Sequence, residues 1–141
     1  MATFNKFDCF VYDLGLEKHN LGADKIHVYL TAAAPSNTAD FIRSDLAPLA
    51  NGNGYNQTEI FANWANNANI STLTANNDIT WTAAGNFGPF RYVVLTNANS
   101  DANANNTALI GWWDYASAIN CNNGESFTVD FPANKAVLSI T

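Results

Sequence analysis

The sequence predicts a mainly β protein: a single β-sandwich or jelly-roll-like domain of about eight strands behind a short N-terminal α-helix. Three observations carry that expectation. Strand-like runs recur at short intervals, separated by turns rich in Asn and Gly. One run, Phe90 to Thr96, is apolar on both faces, as a central strand covered on both sides would be. The first segment instead has helical spacing, with Phe4, Phe7, Phe10, Val11 and Leu14 three and four residues apart. A length of 141 residues fits one domain, 1–141, divided into a helix over 1–22 and a sandwich over 25–141.

In the helical segment, Thr3 or Asn5 is placed to cap the start, and Gly22 is placed to end it in a left-handed turn. The period then changes to two. In Lys25–Thr31, Ile26, Val28 and Leu30 share one face, and Lys25, His27, Tyr29 and Thr31 share the other, which is expected to be exposed. Pro35 and Pro48 make 32–50 mostly loop. Asn51-Gly52-Asn53-Gly54 is a tight turn, since both pairs favour positive φ. Strands follow at roughly 55–64, 69–74, 78–83, 89–96, 107–115, 125–131 and 135–141. Phe127, Val129 and Phe131 alternate with Ser126, Thr128 and Asp130. Asn76-Asn77 and Asn122-Asn123-Gly124 read as hairpin turns.

Composition limits what such a domain can do. Charged residues are 13% of the chain and its formal net charge is −6, while asparagine occurs 22 times. Such a surface cannot neutralise many phosphates, which argues against nucleic-acid binding, and it has little attraction for anionic lipid. No apolar run reaches the roughly 20 residues of a membrane span, and the first residues lack the pattern of a secretory signal. Cys9 and Cys121 stand far apart without metal-ligand spacing and read as free thiols.

Catalytic constellations are sparse. His19 and His27 are the only histidines, both read as solvated, and no nucleophile motif accompanies them. Asp114 beside two tryptophans, with Glu125, is the pair a glycosidase would need, but no motif supports it. The alternating Asx residues of 97–105 resemble a calcium loop, yet they lack its glycine and its closing Glu. The expectation is a non-enzymatic protein with no catalytic residues, no cofactor and no metal.

Leu109-Ile110-Gly111-Trp112-Trp113-Asp114-Tyr115 is the most informative stretch. Adjacent tryptophans on a strand point to opposite faces. Either both enter apolar layers, or one meets a partner or a sugar ring. Trp113 shares its face with Gly111 and Tyr115, and the missing side chain at Gly111 leaves room above the backbone. The expected interface residues are Phe4, Phe7, Phe10, Arg91, Trp112, Trp113 and Tyr115.

Several segments together resemble a family of small virion proteins of tailed bacteriophages. They are His19–Thr31 followed by Ala-Pro, Asn51–Tyr55, Gly88–Leu95, Leu109–Tyr115 and Gly124–Phe131. The resemblance spans nearly the whole chain, and its motifs are structural rather than catalytic. It implies a capsid cement (decoration) protein that stabilises joints between major capsid subunits, made in the host cytoplasm and carried on the capsid surface. A homotrimer at a three-fold site is the arrangement symmetry favours. The other reading is a tail or head-fibre module that recognises host surface glycans through Trp112, Trp113 and Tyr115.

Overall fold

The longest strands form where apolar residues occupy both faces. In the computed structural model, which describes residues 2–132 and 135–141, these are β7 (Phe87–Asn97) and β8 (Ala108–Cys121). Before them come β1 (Phe4–Lys6), α1 (Asp8–Gly15), β2 (Ile26–Thr31), a 3-10 turn at Arg43–Leu46, β3 (Thr58–Ile60), β4 (Ala62–Asn67), β5 (Ile70–Ala75) and β6 (Ile79–Thr82). A second 3-10 turn, Ala104–Asn106, joins β7 to β8, and β9 (Ser126–Val129) and β10 (Ala136–Ile140) follow. Among the described residues, strand accounts for 47% and helix for 11%, so the fold is mainly β with one short helix near the N-terminus.

Five strands make the main sheet in the order β1-β8-β7-β2-β3, with β7 at its centre. A three-stranded sheet, β10-β5-β4, and a two-stranded one, β6-β9, supply a second β layer. All the strand pairings are antiparallel. Between the layers, Ile26, Val28 and Leu30 of β2, Val93 and Leu95 of β7 and Ile110 of β8 meet Leu73, Ile79, Trp81, Val129 and Leu138. The arrangement is sandwich-like. The other face of the main sheet has its own apolar layer: Tyr29, Tyr92, Val94 and Leu109 pack with Phe7, Cys9 and Leu46.

This second cover corrects the reading of β2. Tyr29 and Thr31 are fully buried rather than exposed. The stretch after β2 folds back over them, placing Leu46 on the apolar layer, and the Thr31 hydroxyl bonds the Leu46 carbonyl. The doubly apolar reading of Phe90–Thr96 matches the central position of β7.

The N-terminus also differs from the expected helix over 1–22. The helix covers only Asp8–Gly15, and Phe4–Lys6 is a strand on the edge of β8, pairing Phe4 with Trp113 and Lys6 with Gly111. Phe4, Phe7 and Phe10 therefore form no helical stripe. Phe7 caps the helix and enters one apolar layer, while Phe10 enters the other. Nor does Gly22 end the helix. Glu17 does, at φ 60, with Glu17 N–H donating to Leu14 O and Lys18 N–H to Asp13 O. Those two bonds satisfy the last carbonyls in the manner of a Schellman motif.

The 51–54 turn forms as read. Asn53 and Gly54 have positive φ, and Gly52 and Tyr55 exchange backbone bonds at 2.8 and 2.9 Å. The other two turns are not hairpins, because Asn76-Asn77 and Asn122–Gly124 each connect strands of different sheets. The tight hairpin is instead β4–β5, turning at Ala68 and Asn69, both with positive φ.

The space above Gly111 is filled from within the chain. The Phe4 ring lies over it, and a Cβ there would collide with that ring and with the Asn5 carbonyl. Gly111→Val is therefore expected to displace β1 and to lower stability by about 2–3 kcal/mol. Urea denaturation checks this, and an unchanged midpoint would contradict the packing described.

Candidate functional site

The tryptophan pair sits where β8 leaves the shelter of β1. Both rings are half-buried, one on each face. Trp112 packs on Tyr92 at 5.8 Å, and its Nε1 donates to Asn37 Oδ1 at 3.0 Å. Trp113 lies between Phe4 at 5.0 Å and Phe131 at 5.8 Å. Phe4, Trp113, Tyr115, Phe131, Pro132 and Lys135 line a groove of about 230 Å³. The fold thus brings Phe4, Trp113 and Tyr115 together. Phe7 and Phe10, also expected at the interface, are fully buried in the chain's own layers and offer no surface.

Arg91 lies on the neighbouring strand and is engaged locally. Its Nε and Nη2 donate to the two Asp114 oxygens at 2.7 and 2.8 Å, and it stands 5.2 Å over the Tyr92 ring. The hydrogen bonds from Arg91 hold the Asp114 carboxyl below the usual carboxylate range, assisted by the Ala116 N–H. Glu125 serves another purpose, accepting from the Asn122 backbone N–H and side-chain amide at 2.8 and 3.1 Å. The two carboxylates weighed as a hydrolytic pair therefore hold different structural partners. Asp114, kept ionised, is poorly suited to donate a proton.

The Asx-rich stretch 97–105 uses its oxygens on backbone, except that Asn105 Oδ1 accepts from Arg43 Nη1. Asn97 Oδ1 accepts from Asn99 N–H, Asp101 Oδ1 from Asn103 N–H, and Asn103 Oδ1 from Asn105 N–H. These are successive Asx turns rather than a ring of ligands. Among the described residues, no three His, Cys, Asp or Glu side chains gather into a metal-binding group.

Two histidines read as solvated turn out otherwise. His19 is only 7% exposed, its ring tilted against that of Phe10 at 5.0 Å. Its Nδ1 meets Asn97 Nδ2 at 3.1 Å, while its Nε2 is buried without a partner among the described residues. Asn97 is the hub of this corner, also donating to Asp24 Oδ2 at 2.7 Å and to the Lys18 carbonyl at 3.1 Å. Burial pushes the His19 pKa down against the pull of Asp13 and Asp24. His27 is half-buried, and burial lowers its pKa too, against the pull of Glu59.

Sequence reading passed over a second polar cavity, of about 310 Å³, lined by His27, Arg43, Gln57, Asp101 and Thr107 among others. The signal available was scarcity, since Arg43 is one of only two arginines. Both cysteines are free and buried, and burial raises the Cys9 thiol to about 11, which makes it a poor nucleophile. No helix among the described residues is long and apolar enough to cross a membrane.

Compared with known proteins, the chain matches no family model, no curated protein and no solved structure.

The histidines give a pH dependence with a definite sign. Both have folded pKa values below the ordinary 6.5, so the unfolded chain takes up their protons first. Their contribution is complete above 6.5 and is lost as pH falls below it. His19→Gln is expected to reduce the slope of stability between 6.5 and roughly 5. Urea midpoints measured across that range check it; an unchanged slope would contradict the burial of His19.

Proposed function

We propose that this chain is a non-enzymatic structural protein of a bacteriophage particle, a capsid cement protein that stabilises joints between major capsid subunits. The observation that carries this reading is the resemblance running through His19–Thr31, Asn51–Tyr55, Gly88–Leu95, Leu109–Tyr115 and Gly124–Phe131. Those segments fall on β2, the 51–54 turn, β7, β8 and β9, so what they encode is scaffold.

The surface agrees with such a role. Cement acts by burying area in the assembled state, which favours assembly by mass action. It needs apolar patches that its own fold leaves uncovered. On α1 and its C-terminal cap, Val11, Tyr12 and Leu16 are 56%, 70% and 50% exposed. Phe41 is also exposed, on a segment whose backbone touches the start of the helix. These residues replace Phe7 and Phe10 as the proposed contact with the major capsid protein. A trimer follows from a three-fold position. A surface of Asn and Thr makes the contact weakly dependent on salt.

A second reading, a tail or head-fibre module for host surface glycans, is favoured by the Trp113–Tyr115 groove. Aromatic rings beside a shallow cavity suit the apolar faces of sugars.

Cryo-microscopy of the purified particle separates the two. The cement reading expects density on the outer shell at subunit joints, with Tyr12 and Leu16 facing the shell. It also expects Leu16→Ser to reduce occupancy about tenfold. Density only at the tail tip or on a fibre would overturn it.

A further inference from the structure

The fold treats its two arginines differently. Arg91 is neutralised by both oxygens of Asp114. Arg43 has no carboxylate within ion-pairing distance among the described residues. Its guanidinium stands 5.5 Å over the Tyr29 ring, and Nε donates to Gln57 Oε1 at 2.6 Å and Nη1 to Asn105 Oδ1 at 2.9 Å. Both acceptors are neutral amides. The cation is therefore held in place without being neutralised.

Arg43 also sets the protonation pattern beyond it. Arginine only donates, so Gln57 must turn its oxygen toward Nε and its NH2 group away. That NH2 group lies 2.7 Å from His27 Nδ1. An amide NH2 only donates, so Nδ1 must be the bare, accepting nitrogen. Neutral His27 then carries its proton on Nε2. Burial supports the neutral form, as do Lys25 and Arg43, against the pull of Glu59. Arg43 Nη2 and His27 Nε2 have no hydrogen-bond partner among the described residues, and both residues line the cavity of about 310 Å³.

We propose that this cavity binds a small carboxylate ligand, received by Arg43 and His27. The guanidinium is fixed from two sides before any ligand arrives, which removes much of the ordering cost of binding. A flat monoanion matches the guanidinium fork. A phosphate dianion fits worse, because Asp101 stands exposed at the rim and the chain carries a net charge of −6. Asn51, also on the wall, has its Oδ1 on Gln57 N–H and its side-chain NH2 group without a partner among the described residues, which suits a hydroxyl of a hydroxy acid or acidic sugar. The site is independent of the capsid reading and stands on different residues.

The test is an NMR titration of the full chain with sodium acetate and with sodium glucuronate, sodium chloride holding ionic strength constant. The expected result is saturable movement of the Arg43 Nε–H and His27 ring signals with either carboxylate, and none with chloride alone. Arg43→Gln should weaken binding by about tenfold or more. Because Arg43 also ties the 3-10 turn to Gln57, a second variant avoids the fold: Asp101→Asn removes rim repulsion and should tighten binding by about threefold. Movements that never saturate, that chloride reproduces, or that Asp101→Asn leaves at unchanged affinity would overturn the proposal.

Discussion

Everything in this molecule follows from a sheet that is apolar on both faces. A strand such as β7, with Val93 and Leu95 on one side and Tyr92 and Val94 on the other, is stable only between two covers. The chain supplies one cover as a second β layer. The other comes from the helix and the long stretch after β2. Phe7 and Leu46 are apolar side chains that this second cover lays on the sheet. Even the irregular register between β7 and β8 serves the double cover. One extra residue on β8 near Ile110 lets Leu109 and Trp112 pack on one layer while Ile110 and Trp113 pack on the other.

The asparagine excess is the polar side of the same arrangement. Two covers on one sheet require many connections, and a chain poor in charge must satisfy their backbone groups with amides. Asn51 accepts from Gln57 N–H, Asn77 from Phe61 N–H, Asn86 from Asn123 N–H and Asn99 from Lys25 N–H. Asn97 does this while fully buried, at the point where His19, Asp24 and Lys18 converge. Each such bond contributes on the order of 1 kcal/mol, and an unmet buried amide costs more. The result is a neutral, hydrogen-bonded exterior with few ionic contacts, interrupted by uncovered apolar side chains on α1.

The strands that carry the core were legible because their signal is local. Ile26, Val28 and Leu30 alternate, Phe127, Val129 and Phe131 alternate, and Phe90 to Thr96 lacks a polar face. The three-residue β1 was not legible: so short a strand shows no period, and Phe4 falls three residues before Phe7 in a spacing that mimics a helix. What distinguishes them is the partner. Phe4 fits over Gly111, more than a hundred positions away. The polar cavity was hidden for the same reason, since Arg43 and Gln57 are 14 residues apart and Gln57 and His27 are 30. The Trp112-Trp113 pair was legible as two opposed faces, but the half-burial of each ring depends on Phe131 and Asn37, which no local pattern points to.

Native-state hydrogen exchange resolved by residue tests the double cover most directly. If β7 is the centre of a sheet sheltered on both faces, the amides of Val93–Thr96 exchange only through global unfolding, while those of the β4–β5 hairpin exchange faster through local opening. Protection of Val93–Thr96 no greater than that of the hairpin would contradict the account.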